Sequence, residues 1–141
     1  DLVVTSNMPS LSDGRIELPA DFADIHNPGY GTHIILQGAG SAARITNWVD
    51  PGAWLEWMFT TTASGKYALM AQVLARDPGK LDIQIGEEKI EAEISATGNS
   101  FTEVNLGEIE ITAAGDQIIS FRPVRESWNS LELEKVMLIK Q

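Results

Sequence analysis

Apolar and polar residues alternate with a period of two along most of the chain, with β-branched and aromatic side chains on the apolar phase. This pattern predicts half-buried strands, because successive side chains of a strand point to opposite faces. The expected strands are Ile16 to Leu18, Thr32 to Gln37, Arg44 to Asn47, Trp54 to Thr60, Lys66 to Ala75, Lys80 to Ile85, Lys89 to Ile94, Thr102 to Ile111, Gln117 to Pro123 and Ser130 to Ile139. Between them lie Asn27-Pro28-Gly29, Gly38-Ala39-Gly40, Asp50-Pro51-Gly52, Asp77-Pro78-Gly79, Gly86-Glu87 and Ala114-Gly115-Asp116. Each is a turn signal, since Pro presets φ and Gly reaches positive φ. The pair Gly86-Glu87 makes the clearest two-residue hairpin. The longest apolar stretch, Tyr67 to Leu74, contains Val73 and follows a glycine turn, so it reads as a strand buried on both faces rather than a helix. Short strands at regular spacing with no helix between them predict an all-β fold, a two-sheet antiparallel β-sandwich of jelly-roll type. Residues 1 to 13 read as a linker or lead-in, in which Leu2-Val3-Val4 is a candidate edge strand, and residues 14 to 141 as one sandwich domain.

Within Trp54 to Phe59, alternation puts Leu55, Trp57 and Phe59 on a core face and Trp54, Glu56 and Met58 on the other. Trp48 ends a strand just before Asp50-Pro51-Gly52, where its ring either caps the core or faces a cleft. Trp128 stands among Arg125, Glu126 and Asn129 and reads as an exposed loop aromatic. Three of the four Trp thus cluster near residues 48 to 57. Amphipathic rings at loop and strand-end positions suit stacking on the C–H faces of sugars. The pattern points to sugar recognition rather than catalysis.

Charge narrows the partners. Ten Lys plus Arg against twenty Asp plus Glu give a formal charge of −10, which disfavours phosphate backbones and anionic lipid and suits neutral glycans or cations. Nucleic acid is not an expected partner. No apolar run approaches the roughly 20 residues of a membrane span. Asp1 opens no basic and apolar leader, so the chain is expected to be either a processed form or a piece of a longer protein. Zero Cys removes disulfides, thiolate metal sites and a thiol nucleophile. His26 and His33 are the only imidazoles, and neither sits in a G-x-S-x-G or H-E-x-x-H setting, so neither is assigned catalysis, and His26 beside Asn27-Pro28-Gly29 reads as a solvated loop residue. Acidic pairs on alternating strands arise by chance and carry no glycosidase assignment. Arg122 and Arg125 offer bidentate donors, with surface ion pairs as their plainer use.

The order Gly14-Arg15-Ile16-Glu17-Leu18, Ile45-Thr46-Asn47-Trp48, Trp54-Leu55-Glu56-Trp57, Ser64-Gly65-Lys66-Tyr67, Leu106-Gly107 and Leu131 to Leu138 resembles the galactose-binding-like β-sandwich domains. It looks most like those appended to bacterial α-L-fucosidases and related glycoside hydrolases, and more distantly like family-six carbohydrate-binding modules. The resemblance implies a non-catalytic, glycan-binding accessory module of a secreted, periplasmic or cell-envelope system. It implies a loop-built cleft with aromatics at Trp48 and Phe101, the latter standing where a Trp is usual, and a polar contact at Asn129 or Glu132; Trp128 is an extra aromatic beside the polar position, and Arg125 is a candidate donor from its own chemistry. It further implies a structural Ca²⁺ between Glu17 and Glu134, although Leu18-Pro19 stands where the second acidic residue of the first-strand motif belongs. The alternative is an interaction sandwich without sugar binding, docking on a catalytic domain of the same parent or another protein through a patch of Trp54, Trp128 and Met58.

Overall fold

Alternation sorts the strands into two antiparallel layers, each with one dry face. The computed structural model describes residues 15–29, 31 and 33–141. The first sheet holds β1 (Arg15–Pro19), β3 (Ile35–Gln37), β4 (Arg44–Trp48), β6 (Gly65–Ala75), β9 (Thr102–Ile111) and β11 (Leu131–Lys140), in the order β3-β4-β11-β6-β9, with β1 also on β11. The second holds β2 (Asp24–His26), β5 (Trp54–Thr61), β7 (Gly79–Ile85), β8 (Glu88–Ile94) and β10 (Gly115–Pro123), in the order β2-β5-β10-β7-β8. Three one-turn 3-10 segments, Ala20–Phe22, Gly40–Ala42 and Arg125–Ser127, connect strands. Among the described residues no helix is long and apolar enough to cross a membrane.

The two-sheet β-sandwich is the expected architecture, and the expected phase holds. Leu55, Trp57 and Phe59 of β5 are buried, whereas Met58 is 67% exposed beside its cross-strand partner Ile118. The inward residues of β6 (Leu69, Ala71, Val73) meet those of β7 and β10 (Ile83, Ile119, Phe121) in one core. Trp57 and Phe121 pack edge to face, with centroids 5.4 Å apart at 82°. Each such side chain contributes about 1.5–3 kcal/mol by leaving water. At Gly86-Glu87, φ is +57° at Gly86 alone, the sign pattern of a II′ hairpin turn.

Differences from the expected strands have local causes. The strand β2 lay hidden because three residues, two of them Asp and His, carry no readable period. The strand expected from Thr32 begins at Ile35, and Thr32 itself lies outside the described residues, as do the lead-in and the candidate edge strand Leu2-Val3-Val4. In β11 the pairing with β6 shifts between Leu133 and Lys135, a bulge that resets the phase. Val136 and Leu138 then point into the core, and Met137 is buried on the opposite face under the Arg15 guanidinium, 3.0 Å from its Sδ. The stretch Tyr67 to Leu74 is buried on one face and half-buried on the other.

Three stability tests follow from the packing. Trp57→Ala should lower unfolding free energy by about 3–5 kcal/mol, whereas Met58→Ala should change it by less than about 0.5 kcal/mol, read from urea denaturation. Asn47 is the one non-glycine residue with positive φ among the described residues, at 61°, and its amide donates to the His33 carbonyl at 2.9 Å. Asn47→Ala should cost about 1–2 kcal/mol, and Asn47→Gly less, because glycine keeps the left-handed backbone without strain. The Tyr67 hydroxyl donates to the Ala63 carbonyl at 2.8 Å, and burial pushes this phenol above its ordinary range. Its contribution is then full below the unfolded value of about 10 and lost as pH rises through the higher folded value. Tyr67→Phe should therefore flatten the alkaline fall in the denaturation midpoint.

Candidate ligand-binding end of the sandwich

Antiparallel register gathers one set of strand ends. Trp48 lies opposite Leu131, Leu131 opposite Ala75, and Val73 opposite Thr102 in the first sheet. His26 lies opposite Trp54, Pro123 opposite Leu81, and Gly79 opposite Ile94 in the second. Segments 27–29, 33–34, 49–53, 76–78, 95–101 and 124–130 therefore crowd one end of the sandwich. Phe101, Arg125, Trp128 and Asn129 all sit in these loops, and Trp48 and Glu132 on the strand ends beside them.

The core claims Trp48. Its ring is 0% exposed and its indole N–H donates to the Ala53 carbonyl at 2.9 Å, so it presents no face to a ligand. The cause is local. The left-handed Asn47 breaks the period of two, so Ile45 and Trp48, three apart, both point inward. The expectation of Trp48 as a cleft aromatic is corrected on this ground. Trp128 is half-buried rather than freely exposed: it leans on Trp48 with centroids 4.9 Å apart at 54° and donates its N–H to the Trp48 carbonyl at 3.1 Å. Phe101 is half-buried in the loop just before β9.

Polar groups complete this end. Asn129 is exposed and anchors by donating to the Pro78 carbonyl at 2.7 Å. The Asp50 carboxylate accepts the Gly52 N–H at 2.8 Å, and its other oxygen lies where a side chain at Gly31, φ +83°, would start. A side chain at Gly52 would begin 3.2 Å from Asp50 Oδ1 and 3.8 Å from Arg125 Nη2, so carboxylate and guanidinium flank the same glycine. Asp50 was legible only as a turn residue, and its Asp-Pro-Gly setting was the available signal. Glu132 pairs with Arg44 at 3.6 Å and lines, with Asn47, Val49 and Arg76, a shallow groove of about 220 Å³. A second hollow of about 420 Å³ opens at the opposite end between Gly86, Glu87, Glu88, Glu110 and Gln117. It is larger, but no aromatic lines it, so it lacks a stacking surface for a sugar.

The calcium reading does not fit Glu17. One of its oxygens meets Arg15 Nε at 3.1 Å and the other meets Lys135 Nζ at 3.5 Å, so both already face cations. Glu134 lies half-exposed on the β11 bulge. His26 is also not a solvated loop residue. It sits on β2 with its ring stacked on Trp54, centroids 3.9 Å apart at 7°, while the Arg122 guanidinium lies 3.7 Å from the Trp54 centroid. Two groups so close to one centroid must take opposite faces of the indole. Trp54 and Trp128 therefore do not join Met58 in one bare apolar patch, and the exposed apolar pair of the second sheet is Met58 with Ile118.

Solved structures share this fold. A family 35 carbohydrate-binding module from Clostridium thermocellum superposes with a TM-score of 0.69 at 16% identity, over 90% of this chain and 98% of that one. The C-terminal CBM6 of LamC, a marine laminarinase of Zobellia galactanivorans, gives 0.64 at 13% identity, over 89% and 99%. The Podospora anserina GH26-CBM35 β-(1,4)-mannanase gives 0.68 at 19% identity, over 92% of this chain but only 28% of that one. The chain thus spans less than a third of the enzyme and nearly the whole of each module. At these identities the likeness is one of fold, and the two-sheet β-sandwich expected from the sequence is present. No curated protein matches the chain. The family described as a domain of unknown function, DUF5077, matches residues 37–139, and the chain belongs to it.

Proposed function

We propose that the chain is a non-catalytic carbohydrate-binding module that holds a neutral oligo- or polysaccharide against the loop end of the sandwich. One observation carries this reading: the loops bearing Phe101, Trp128, Arg125, Asn129 and Asp50 converge at one end of a fold that two carbohydrate-binding modules share over nearly their whole length. Phe101 and Trp128 supply partly exposed ring surface for sugar C–H faces. Arg125, Asn129 and the Asp50 carboxylate supply donors and acceptors for hydroxyls. Trp48 takes no part except as the floor on which Trp128 rests. Glu132, ion-paired to Arg44, borders the groove on the first-sheet side.

Each imidazole has a local polar partner. His33 Nε2 lies 3.0 Å from the Pro28 carbonyl, and His26 faces Glu56. In the proposed role the module is accessory to a secreted or envelope-associated glycoside hydrolase, with an α-L-fucosidase as the type proposed from the sequence resemblance. Tethering a catalytic domain to its polymer raises effective substrate concentration without new chemistry.

Isothermal titration of the whole chain against soluble mannans, glucans, galactans and fucosylated glycans checks the reading. One class should give saturable binding that weakens about tenfold in Phe101→Ala or Arg125→Ala, the loss of about 1.4 kcal/mol. Met58→Ser should leave it unchanged. Silence across the panel, or loss in Met58→Ser alone, would transfer the function to docking through the Met58 and Ile118 face.

A further inference from the structure

We propose that Asp24, His26 and Glu56, none of them among the residues assigned to sugar, bind a divalent transition-metal ion such as Zn²⁺ on the outer face of the second sheet. Asp24 and His26 stand two apart on β2 and so share a face, and Glu56 lies directly opposite Asp24 on β5. Their ligand atoms all fall within 4.8 Å of one another. His26 Nε2 is aimed between the carboxylates, 3.3 Å from Glu56 Oε1 and 3.7 Å from Asp24 Oδ2.

The spacings are those of a hydrogen-bonded imidazole–carboxylate pair and also fit a shared metal ion. Two ligands at about 2.0–2.1 Å from a tetrahedral ion stand about 3.3–3.4 Å apart. The imidazole and Glu56 already have that separation. Asp24 carries the most exposed side chain of the three, 69%, so solvent leaves room for its carboxylate to turn toward the other two.

The imidazole is also held in place. Its ring is stacked within 7° of parallel on Trp54, and Arg122 closes the other face of the indole. A pre-set ring loses little freedom when it takes a ligand. An imidazole donor selects Zn²⁺, Ni²⁺ or Cu²⁺ over Ca²⁺ and Mg²⁺, which prefer oxygen throughout. Three protein ligands leave at least one position of a tetrahedral ion open to water or an external group. Bound there, the ion would cross-link β2, an edge strand, to its neighbour β5.

Equilibrium dialysis of the untagged, metal-stripped whole chain against Zn²⁺ alone tests the site, with Ca²⁺ as competitor. One Zn²⁺ per chain is expected, unaffected by excess Ca²⁺. His26→Gln and Glu56→Gln should each weaken binding at least about tenfold, and His33→Gln should not change it. In long-range imidazole NMR spectra, Zn²⁺ should shift His26 Nε2 and leave His33 in place. The proposal is overturned by absence of saturable binding, by binding that survives His26→Gln, or by a shift confined to His33. Should His26→Gln fail to fold, Glu56→Gln and the parent's NMR shifts decide on their own.

Discussion

An indole cannot be buried with its N–H unpaired at less than about 1–3 kcal/mol, and this constraint organises the molecule. Trp57 on the second sheet donates to the Pro19 carbonyl of the first, tying β5 to β1 across the core. Trp48 donates to the Ala53 carbonyl, which holds the turn at 49–53 against the end of β4. Trp128 donates to the carbonyl of Trp48 itself, drawing the 124–130 loop onto that floor. Each ring contributes apolar area, and each N–H fixes which backbone must come near. The loop end is thus shaped from beneath by the core.

Sequence alone carried most of the fold and less of the site, for physical reasons that particular residues display. Where one face is dry and the other wet, as in Leu55, Trp57 and Phe59 against Glu56 and Met58, the period of two is imposed by solvent and is legible. Gly86-Glu87 is legible because a two-residue hairpin restricts which residues fit. A period needs length, so the three residues of β2 gave none, and His26 read as solvated. A period also needs an unbroken backbone, and Asn47 and the β11 bulge break it by one residue each. The ambiguity at Trp48 had that origin: its side depended on the φ of the residue before it. The metal-like set Asp24, His26 and Glu56 depended on the pairing of β2 with β5, a long-range register that no local spacing reveals.

The outer face of the second sheet shows how a half-buried surface aromatic acquires a structural use. Trp54 stands one strand from the edge, with His26 beside it on β2 and Arg122 on β10. A π face attracts a guanidinium by about 0.5–1 kcal/mol at an exposed site, and stacked rings add a comparable amount. Neither gain is large, but together they occupy both faces of the indole. A sugar ring would have to displace one of them, which removes Trp54 from the stacking surfaces without removing it from the surface. The same stack turns the imidazole edge toward Glu56 and Asp24, so that one tryptophan serves as the support for a polar site.

On the proposed reading, a division of labour follows from where the aromatics are spent. Trp57 and Trp48 belong to the core and Trp54 to the sheet face, leaving Trp128 and Phe101, each half-buried, for a ligand. Few free ring faces mean small stacking gains, and every hydroxyl bonded to Arg125, Asn129 or Asp50 exchanges a bond with water for one with protein. What offsets this is rigidity. The Asp50 side chain already closes the turn through the Gly52 N–H, and Asn129 is already bound to the Pro78 carbonyl, so less ordering remains to be done at binding. Weak, pre-ordered contacts of this kind suit a domain whose task is to keep a polymer close, because tethering multiplies modest affinities that a stand-alone receptor could not use.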